Sequence, residues 1–332
     1  MSEARSDSPA NPLRCHRIAL SAVQAARQVI DPVFLNTPCY ECGPLSTALG
    51  CQLILKLETA NPIRSFKGRG ASLLVRRLDR NSAPITALVS ASAGNWGQAL
   101  AYACRDAGIP LILYAATSAN SLKVARMRSL GAEVRLAGGD FDAAKLEAEG
   151  FAREAGLRMV ADGLDVEASV GAATIGIELA ARGNHDAILV PLGNGALLTG
   201  IGRWTKAVAP ATEVVGVLST GADAMAASWR SGHLVTRDRA ETIADGIAVR
   251  VPIPEAVADM NGTVDDVLLV PDDAIVAAMR LLFAEAGLLI EPAGAAGVAA
   301  VLVNPERFKG RRVATVLCGG NLTGEQVRRW VT

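Results

Sequence analysis

Short apolar, β-branched runs alternate with helix-period stretches along almost the whole chain, and that rhythm restricts the folds open to it. The strand-like runs are Leu53–Leu57, Ile85–Val89, Pro110–Tyr114, Glu133–Leu136, Ala187–Pro191, Val214–Leu218 and Arg312–Leu317. Helical periods fall between them at Gln98–Asp106, Leu122–Leu130, Ala143–Ala155, Leu197–Ala207 and Ala274–Ala286. Strands that are apolar throughout need cover on both faces, and alternating helices supply it. The pattern predicts an α/β fold of mostly parallel, doubly wound sheets. Three strand–helix units fit between Ala83 and Asp162. We therefore expect two lobes, with a small one (83–162) inserted in a larger one (16–82 and 163–332), after a flexible arm at 1–15.

Charge and composition narrow the function classes. The 33 basic and 33 acidic residues cancel, which argues against nucleic acid or an anionic membrane surface as a partner. The longest uncharged stretch, Asn81–Cys104, is broken by Pro84, Gly94 and Gly97, so no segment reads as membrane-spanning. Residues 1–13 lack the apolar run of a secretory signal, and the cysteine usage fits reduced thiols, so the cytoplasm is the expected compartment. Cys39 and Cys42 form a lone CxxC with no second pair or nearby histidine. His16, His185 and His233 lie outside any Gly-rich or strand-end motif. Neither a metal site nor a Ser-His-Asp triad is expected.

Four segments carry chemistry. Asn61-Pro-Ile-Arg-Ser-Phe-Lys67-Gly-Arg-Gly-Ala71 sets one lysine after a Pro-containing loop, at the start of a helical stretch (Ala71–Leu78). The positive end of a helix dipole disfavours ammonium and favours the neutral amine, which condenses with aldehydes. Ser90-Ala-Ser-Ala-Gly-Asn-Trp-Gly-Gln98 follows a strand and opens a helix, leaving backbone N–H groups for a carboxylate. Leu192-Gly193-Asn194-Gly195-Ala196-Leu197 makes a similar junction, suited to a phosphate. Leu317-Cys-Gly-Gly-Asn321 ends the last apolar strand, where open α/β sheets place ligands. Taken singly, a solvated surface lysine, two ordinary strand-to-helix turns and a buried structural cysteine explain these segments as well. The GxGxxG pattern of a nicotinamide-binding fold is missing from all of them.

In this order the segments resemble the fold-type II pyridoxal-phosphate (PLP) enzymes, the tryptophan synthase β-like superfamily, and within it the threonine/serine dehydratases. Thr37-Pro38 is similar to the pair near the family's start. Ser65-Phe66-Lys67-Gly68-Arg69-Gly70-Ala71 resembles its S-F-K-x-R-G-A, and Ser92-Ala93-Gly94-Asn95 its S-x-G-N. Ala244-Asp-Gly246, Glu291-Pro-Ala-Gly-Ala295 and Cys318-Gly-Gly-Asn321 resemble three further segments. The resemblance implies that Lys67 is the Schiff-base lysine and general base. It implies cofactor contacts from Phe66, Lys67, Asn95, Gly193, Asn194, Gly195, Ala196, Leu197 and Cys318, with Asn95 on the 3′-oxygen and Cys318 on the pyridine nitrogen. Ser65, Ser92, Ala93, Gly94 and Trp96 would contact an amino-acid substrate. The implied activity is an ammonia-lyase (dehydratase) acting on a β-hydroxy-α-amino acid, in a homodimer. A β-replacement synthase, an amino-acid racemase and a non-catalytic binding protein of the same fold are the alternatives.

Several departures qualify the resemblance. The family's four-glycine phosphate loop is here Gly193-Asn194-Gly195-Ala196, tolerable if φ stays negative at Ala196, with Asn194 able to adopt a left-handed conformation. Racemases of the group carry Ser before Gly-Asn, whereas Ala93 has no proton to give. Trp96 replaces a common His and is read either as a pocket wall or as core. Gly216-Val217 is followed by Leu218, with only Asp223 nearby, which disfavours a divalent-cation site. Ala161-Asp-Gly-Leu-Asp165 differs from the threonine dehydratase pattern, so the substrate is expected to be other than threonine, with 3-phenylserine and 3-hydroxyaspartate as candidates.

Overall fold

A computed structural model describes residues 16–80, 85–119 and 121–332. The arm expected at 1–15 lies outside them. Ten strands form two sheets: β1 (Cys39–Glu41), β2 (Gln52–Leu57), β3 (Leu88–Ala91), β4 (Leu111–Ala115), β5 (Glu133–Leu136), β6 (Arg158–Met159), β7 (Ala187–Pro191), β8 (Glu213–Ser219), β9 (Asp266–Val270) and β10 (Arg312–Leu317). The larger sheet has the order β1-β2-β10-β7-β8-β9 and the smaller β5-β4-β3-β6. Every pairing is parallel except β1 with β2. The smaller sheet is thus inserted between β2 and β7 of the larger, and the α/β architecture is the one expected.

Each strand-like run of the sequence falls on a strand, but the one placed at Ile85–Val89 begins only at Leu88. Its ladder is set by β4 and β6, which pair with Leu88–Ala91 and not with the residues before. Two strands are too short to stand out, β1 and β6 at three and two residues; β9, the apolar run Val267–Val270 after Asp266, is not among the expected strands although its sequence carries the signal. The helix placed at Ala71–Leu78 starts earlier, at Lys67, and runs to Arg80. Two helices, Val166–Ala180 and Pro292–Val303, escape sequence reading for a common reason. Both are small-residue helices buried on nearly all sides, so no polar face reveals their period.

The helices Lys67–Arg80 and Val166–Ala180 cross at bare backbone. A Cβ added at Gly171 would lie 2.6 Å from Gly70 N, so the contact needs glycine on both sides. Beside the crossing, Arg69 is wholly buried. Its guanidinium donates to both oxygens of Glu58 at 2.8 Å, and to those of Glu178 at 2.6 and 2.9 Å. Lys56, also wholly buried, donates to Glu178 Oε2 at 2.5 Å and to Thr37 O at 2.6 Å. Two cations facing two carboxylates, with nearly every donor used, make such burial tolerable. The network joins β2 to both helices two residues after Lys67, and so fixes where that lysine begins its helix.

Glu178 carries the pH signature of this network. Burial pushes its carboxyl upward, but Arg69 and then Lys56 pull harder, and the net displacement is below the ordinary carboxylate range. The unfolded chain therefore takes up this proton at a higher pH than the folded chain. The stabilisation is complete above the unfolded value and is lost as pH falls through the depressed one. Arg69→Met should cost about 3–5 kcal/mol of unfolding free energy, the range for leaving buried charges unpaired. Urea unfolding of the holoenzyme at neutral pH measures this, and a loss below about 1 kcal/mol would contradict the role given to the network.

Candidate active site

The chemistry-bearing segments meet at the carboxyl ends of the parallel strands, where the chain leaves each sheet as a loop. Three of them follow β3 (Ser92–Asn95), β7 (Leu192–Ala196) and β10 (Cys318–Asn321); the Lys67 loop leads from the end of β2, and the divergent segment Ala161–Asp165 follows β6. A cavity of about 670 Å³ opens there. Its wall includes Phe66, Lys67, Ser92, Ala93, Gly94, Asn95, Trp96, Asn194 and Cys318 of the residues singled out by sequence. Ser65, Gly193, Gly195, Ala196 and Leu197 are absent from the wall.

The loop before Lys67 is held by its own side chains and by the end of β10. Asn61 Oδ1 accepts from Ile63 N and Ser65 N, while Asn61 Nδ2 donates to Glu58 O and Ser65 O. Ser65 bridges Gly319, Phe66 N donates to Cys318 O at 3.0 Å, and Gly320 N donates to Arg64 O at 3.0 Å. Ser65 is fully buried, and its Oγ accepts from Lys67 N, so it shapes the loop from behind the wall. Lys67 then projects its amine into the cavity, 4.7 Å from the centre of the Phe66 ring. Its Nζ lies 2.7 and 2.5 Å from the two oxygens of Asp162. The sequence announces only the helix dipole at this amine; the facing carboxylate is an addition of the structure.

Asn95 opens the helix Asn95–Ala107 and is fixed at both ends of its amide. Its Nδ2 donates to Glu291 Oε1 at 2.7 Å, and its Oδ1 accepts from Asn321 Nδ2 at 2.8 Å. One N–H of the amide is left for a further acceptor. Asn321 is held in turn by Glu291, Ile63 O and Arg126. Glu291 occupies the N-cap of the helix Pro292–Val303 but makes no cap; its carboxyl turns to Asn95 and Asn321. Burial, and next the neighbouring Asp245, push that carboxyl above its ordinary range.

Ser92 Oγ accepts from Gly94 N and Gly97 N at 3.2 and 2.9 Å, which folds the loop ahead of Asn95. Trp96 is 4% exposed and donates to Ser90 Oγ, so it is mainly core, with an edge on the cavity. After β7, the left-handed position falls on Gly195 (φ +90°) and not on Asn194. This turn leads into the helix Ala196–Val208, whose start has no side-chain cap. Among the described residues, the amides of Asn194, Gly195, Ala196, Leu197 and Leu198 have no hydrogen-bond acceptor. A set of free amides at the start of a 13-residue helix is a seat for a phosphate. There Gly195, Ala196 and Leu197 offer backbone only, and the Leu197 side chain belongs to the core.

Cys318 lines the cavity with a buried thiol, pushed far above its ordinary range by burial and next by Glu291. It is a neutral group at any working pH. These groups fit PLP: free amides for its phosphate, a lysine for its aldehyde, one spare N–H on Asn95 for its oxygen, and an uncharged thiol for its ring nitrogen. Asp223, the acid nearest Gly216-Val217, is paired with Arg237 at 2.8 Å. No cluster of three metal-ligating side chains occurs among the described residues.

Sequence reasoning missed Asp162 and Glu291 as site residues, together with two ion pairs on the wall, Lys123 with Asp245 and Arg250 with Asp142. Glu291 and Asp245 stand in segments that carry the family resemblance, and that was the available signal. Asp162 had a negative one, since it lies where the chain departs from the pattern.

Residues 30–319 match the family described as pyridoxal-phosphate dependent enzyme. The L-threonine ammonia-lyase of Thermotoga maritima is 33% identical over 94% of this chain and 78% of its own. The biosynthetic L-threonine dehydratase of Bacillus subtilis is 30% identical over 92% and 73%. Among solved structures, the processed form of threonine deaminase isoform 2 from Solanum lycopersicum superposes with a TM-score of 0.84 at 28% identity, over 93% of this chain and 90% of that one. A PLP-dependent aspartate racemase superposes at 0.86 and 29% identity, over 94% and 98%. With the lysine, the neutral thiol and the Asn194 end of the free-amide turn on one cavity, and a family match over most of its length, the chain belongs to the pyridoxal-phosphate dependent enzyme family, as a lyase of the threonine dehydratase-like group.

Proposed function

We propose that this protein is an ammonia-lyase that converts a β-hydroxy-α-amino acid of the serine/threonine type to a 2-oxo acid and ammonia. The observation that carries the reading is the convergence of Lys67, Asn95, Cys318 and Asn194, the residue that opens the run of free amides after β7, on one cavity. PLP bound through Lys67 supplies the electron sink for charge developing at Cα. With its nitrogen released by the substrate's amine, Lys67 would be the base that takes the Cα proton. The Cβ–O bond then breaks, and the hydroxyl leaves as water on gaining a proton. The enamine product takes water back on hydrolysis and releases ammonia. The loop Ser92–Asn95 would hold the substrate carboxylate, with Ala93 and Gly94 on the wall. Asn95, held by Glu291 and Asn321, would direct its remaining N–H to the cofactor oxygen.

Two features favour elimination over the alternatives. The Cys318 thiol is neutral and cannot keep the cofactor's ring nitrogen protonated, so charge at Cα is less stabilised and a β-hydroxyl is expelled promptly. Racemisation needs a second proton carrier opposite Lys67. Ala93 has none, and Ser92 Oγ accepts from two loop amides, which uses both lone pairs it would need to take up a proton. A substrate other than threonine, with 3-phenylserine and 3-hydroxyaspartate as candidates, is supported by the divergent segment Ala161–Asp165. We also propose a homodimer working in the cytoplasm. The family resemblance supports the first, and the free buried thiols of Cys39, Cys42, Cys51, Cys104 and Cys318 support the second.

Lys67→Ala should lose the visible cofactor absorbance and lower 2-oxo acid release by about 10²–10⁴-fold or more. An assay across serine, threonine, 3-phenylserine and 3-hydroxyaspartate stereoisomers measures the release, and a variant that keeps its rate sinks the assignment. Cys318→Asp should prolong a long-wavelength absorbing species after substrate is added and raise the share of turnovers that exchange the Cα proton without elimination. Stopped-flow spectra and deuterium incorporation read both; no change in either removes Cys318 from the ring nitrogen.

A further inference from the structure

The segment Ala161–Asp165, where the chain leaves the family pattern, is firmly built. Arg17 donates to Gly163 O at 2.8 Å and Leu164 O at 2.7 Å, and is itself held by Asp259 at 2.6 Å. Asp165 Oδ2 accepts from Ala161 N at 2.7 Å, closing the loop on itself. Asp162 stands between these ties, its side chain 17% exposed, on the cavity wall. Its oxygens are within 2.7 Å of Lys67 Nζ, and Asn194 Nδ2 reaches Oδ2 only at 3.5 Å.

We propose that Asp162 selects the substrate's side chain by accepting a hydrogen bond from a hydroxyl or ammonium carried at or beyond Cβ, and that it selects against an anionic side chain. The inference rests on Lys67 being the cofactor lysine. A primary ammonium offers three N–H donors, and a nitrogen committed to an aldehyde carbon keeps at most one. Until the substrate's amine releases Lys67 again, Asp162 would face the cavity with its best donor withdrawn, and a largely buried carboxylate without a donor is unfavourable. The rest of the wall does not replace it. Lys123 is paired with Asp245, Arg250 with Asp142 and Arg239 with Glu241. A donor on the substrate meets the deficit with a charge-assisted hydrogen bond. A second carboxylate set against Asp162 would meet like charge, which ranks 3-hydroxyaspartate below a neutral or cationic β-hydroxy amino acid.

Calorimetric titration of the holoenzyme with 2,4-diaminobutyrate and with aspartate tests this, because neither carries a β-hydroxyl to lose. The diaminobutyrate should bind at least about tenfold more tightly than aspartate, a modest share of what one charge-assisted contact provides. Asp162→Asn should bring the two within about threefold, whereas Asp162→Glu, which keeps the charge, should preserve the order. Tighter binding of aspartate by the wild type, or a ratio unmoved in Asp162→Asn, overturns the proposal. Should Asp162→Asn fail to retain PLP, the wild-type ratio decides alone. If the ratio behaves as expected but no β-hydroxy amino acid yields a 2-oxo acid, the lyase reading falls and the role of Asp162 stands. If serine or threonine is deaminated and the ratio does not respond to Asp162, the reverse holds.

Discussion

The active site depends on the attachment of the Lys67 loop to the end of β10. Phe66 N on Cys318 O and Gly320 N on Arg64 O are two ordinary backbone hydrogen bonds, yet they fix where the reactive amine stands relative to the Cys318 thiol. Two residues further on, Arg69 locks the start of the same helix to β2 and to the helix Val166–Ala180. An amine on a long flexible stem is useful only if its backbone is fixed. Here the fixing is done by a buried ionic network on one side and a strand end on the other.

The site's electrostatics follow from what each group is paired with. Cys318 is uncharged because it is buried, and Glu291 is pushed up for the same reason. Glu291 nevertheless gives both oxygens to the site, one to Asn95 and one to the backbone of Asn321, so the Asn95 amide has a single orientation. Free amides after β7 supply positive potential without a cationic side chain. The cationic side chains of the wall other than Lys67 each face a carboxylate, Lys123 with Asp245, Arg250 with Asp142 and Arg239 with Glu241, and Asp162 is the acid whose partner is the reacting lysine itself.

Much of this arrangement was legible in the sequence where chemistry and local geometry coincide. The Ser92–Asn95 loop, the Gly-rich turn after β7 and Cys318 each sit at the end of a strand, and strand ends can be read from apolar runs; Lys67 instead opens a helix after a Pro-containing loop. What escaped was decided by packing. Val166–Ala180 and Pro292–Val303 have no polar face because other elements surround them. Trp96 was open between wall and core until its indole was seen donating to Ser90. The pairing of Asp162 with Lys67 spans 95 positions in the chain, and no local pattern encodes it; the left-handed turn at Gly195 in place of Asn194 likewise needed the backbone.

The central claim is that a covalent link to PLP forms at the amine on the first turn of the helix Lys67–Arg80. Borohydride reduction of the holoenzyme, followed by proteolysis and mass mapping, fixes that link where it stands. The account predicts a single pyridoxyl-bearing peptide with the modification on Lys67. A modification on another lysine, such as Lys56 or Lys123, or none at all, would contradict it.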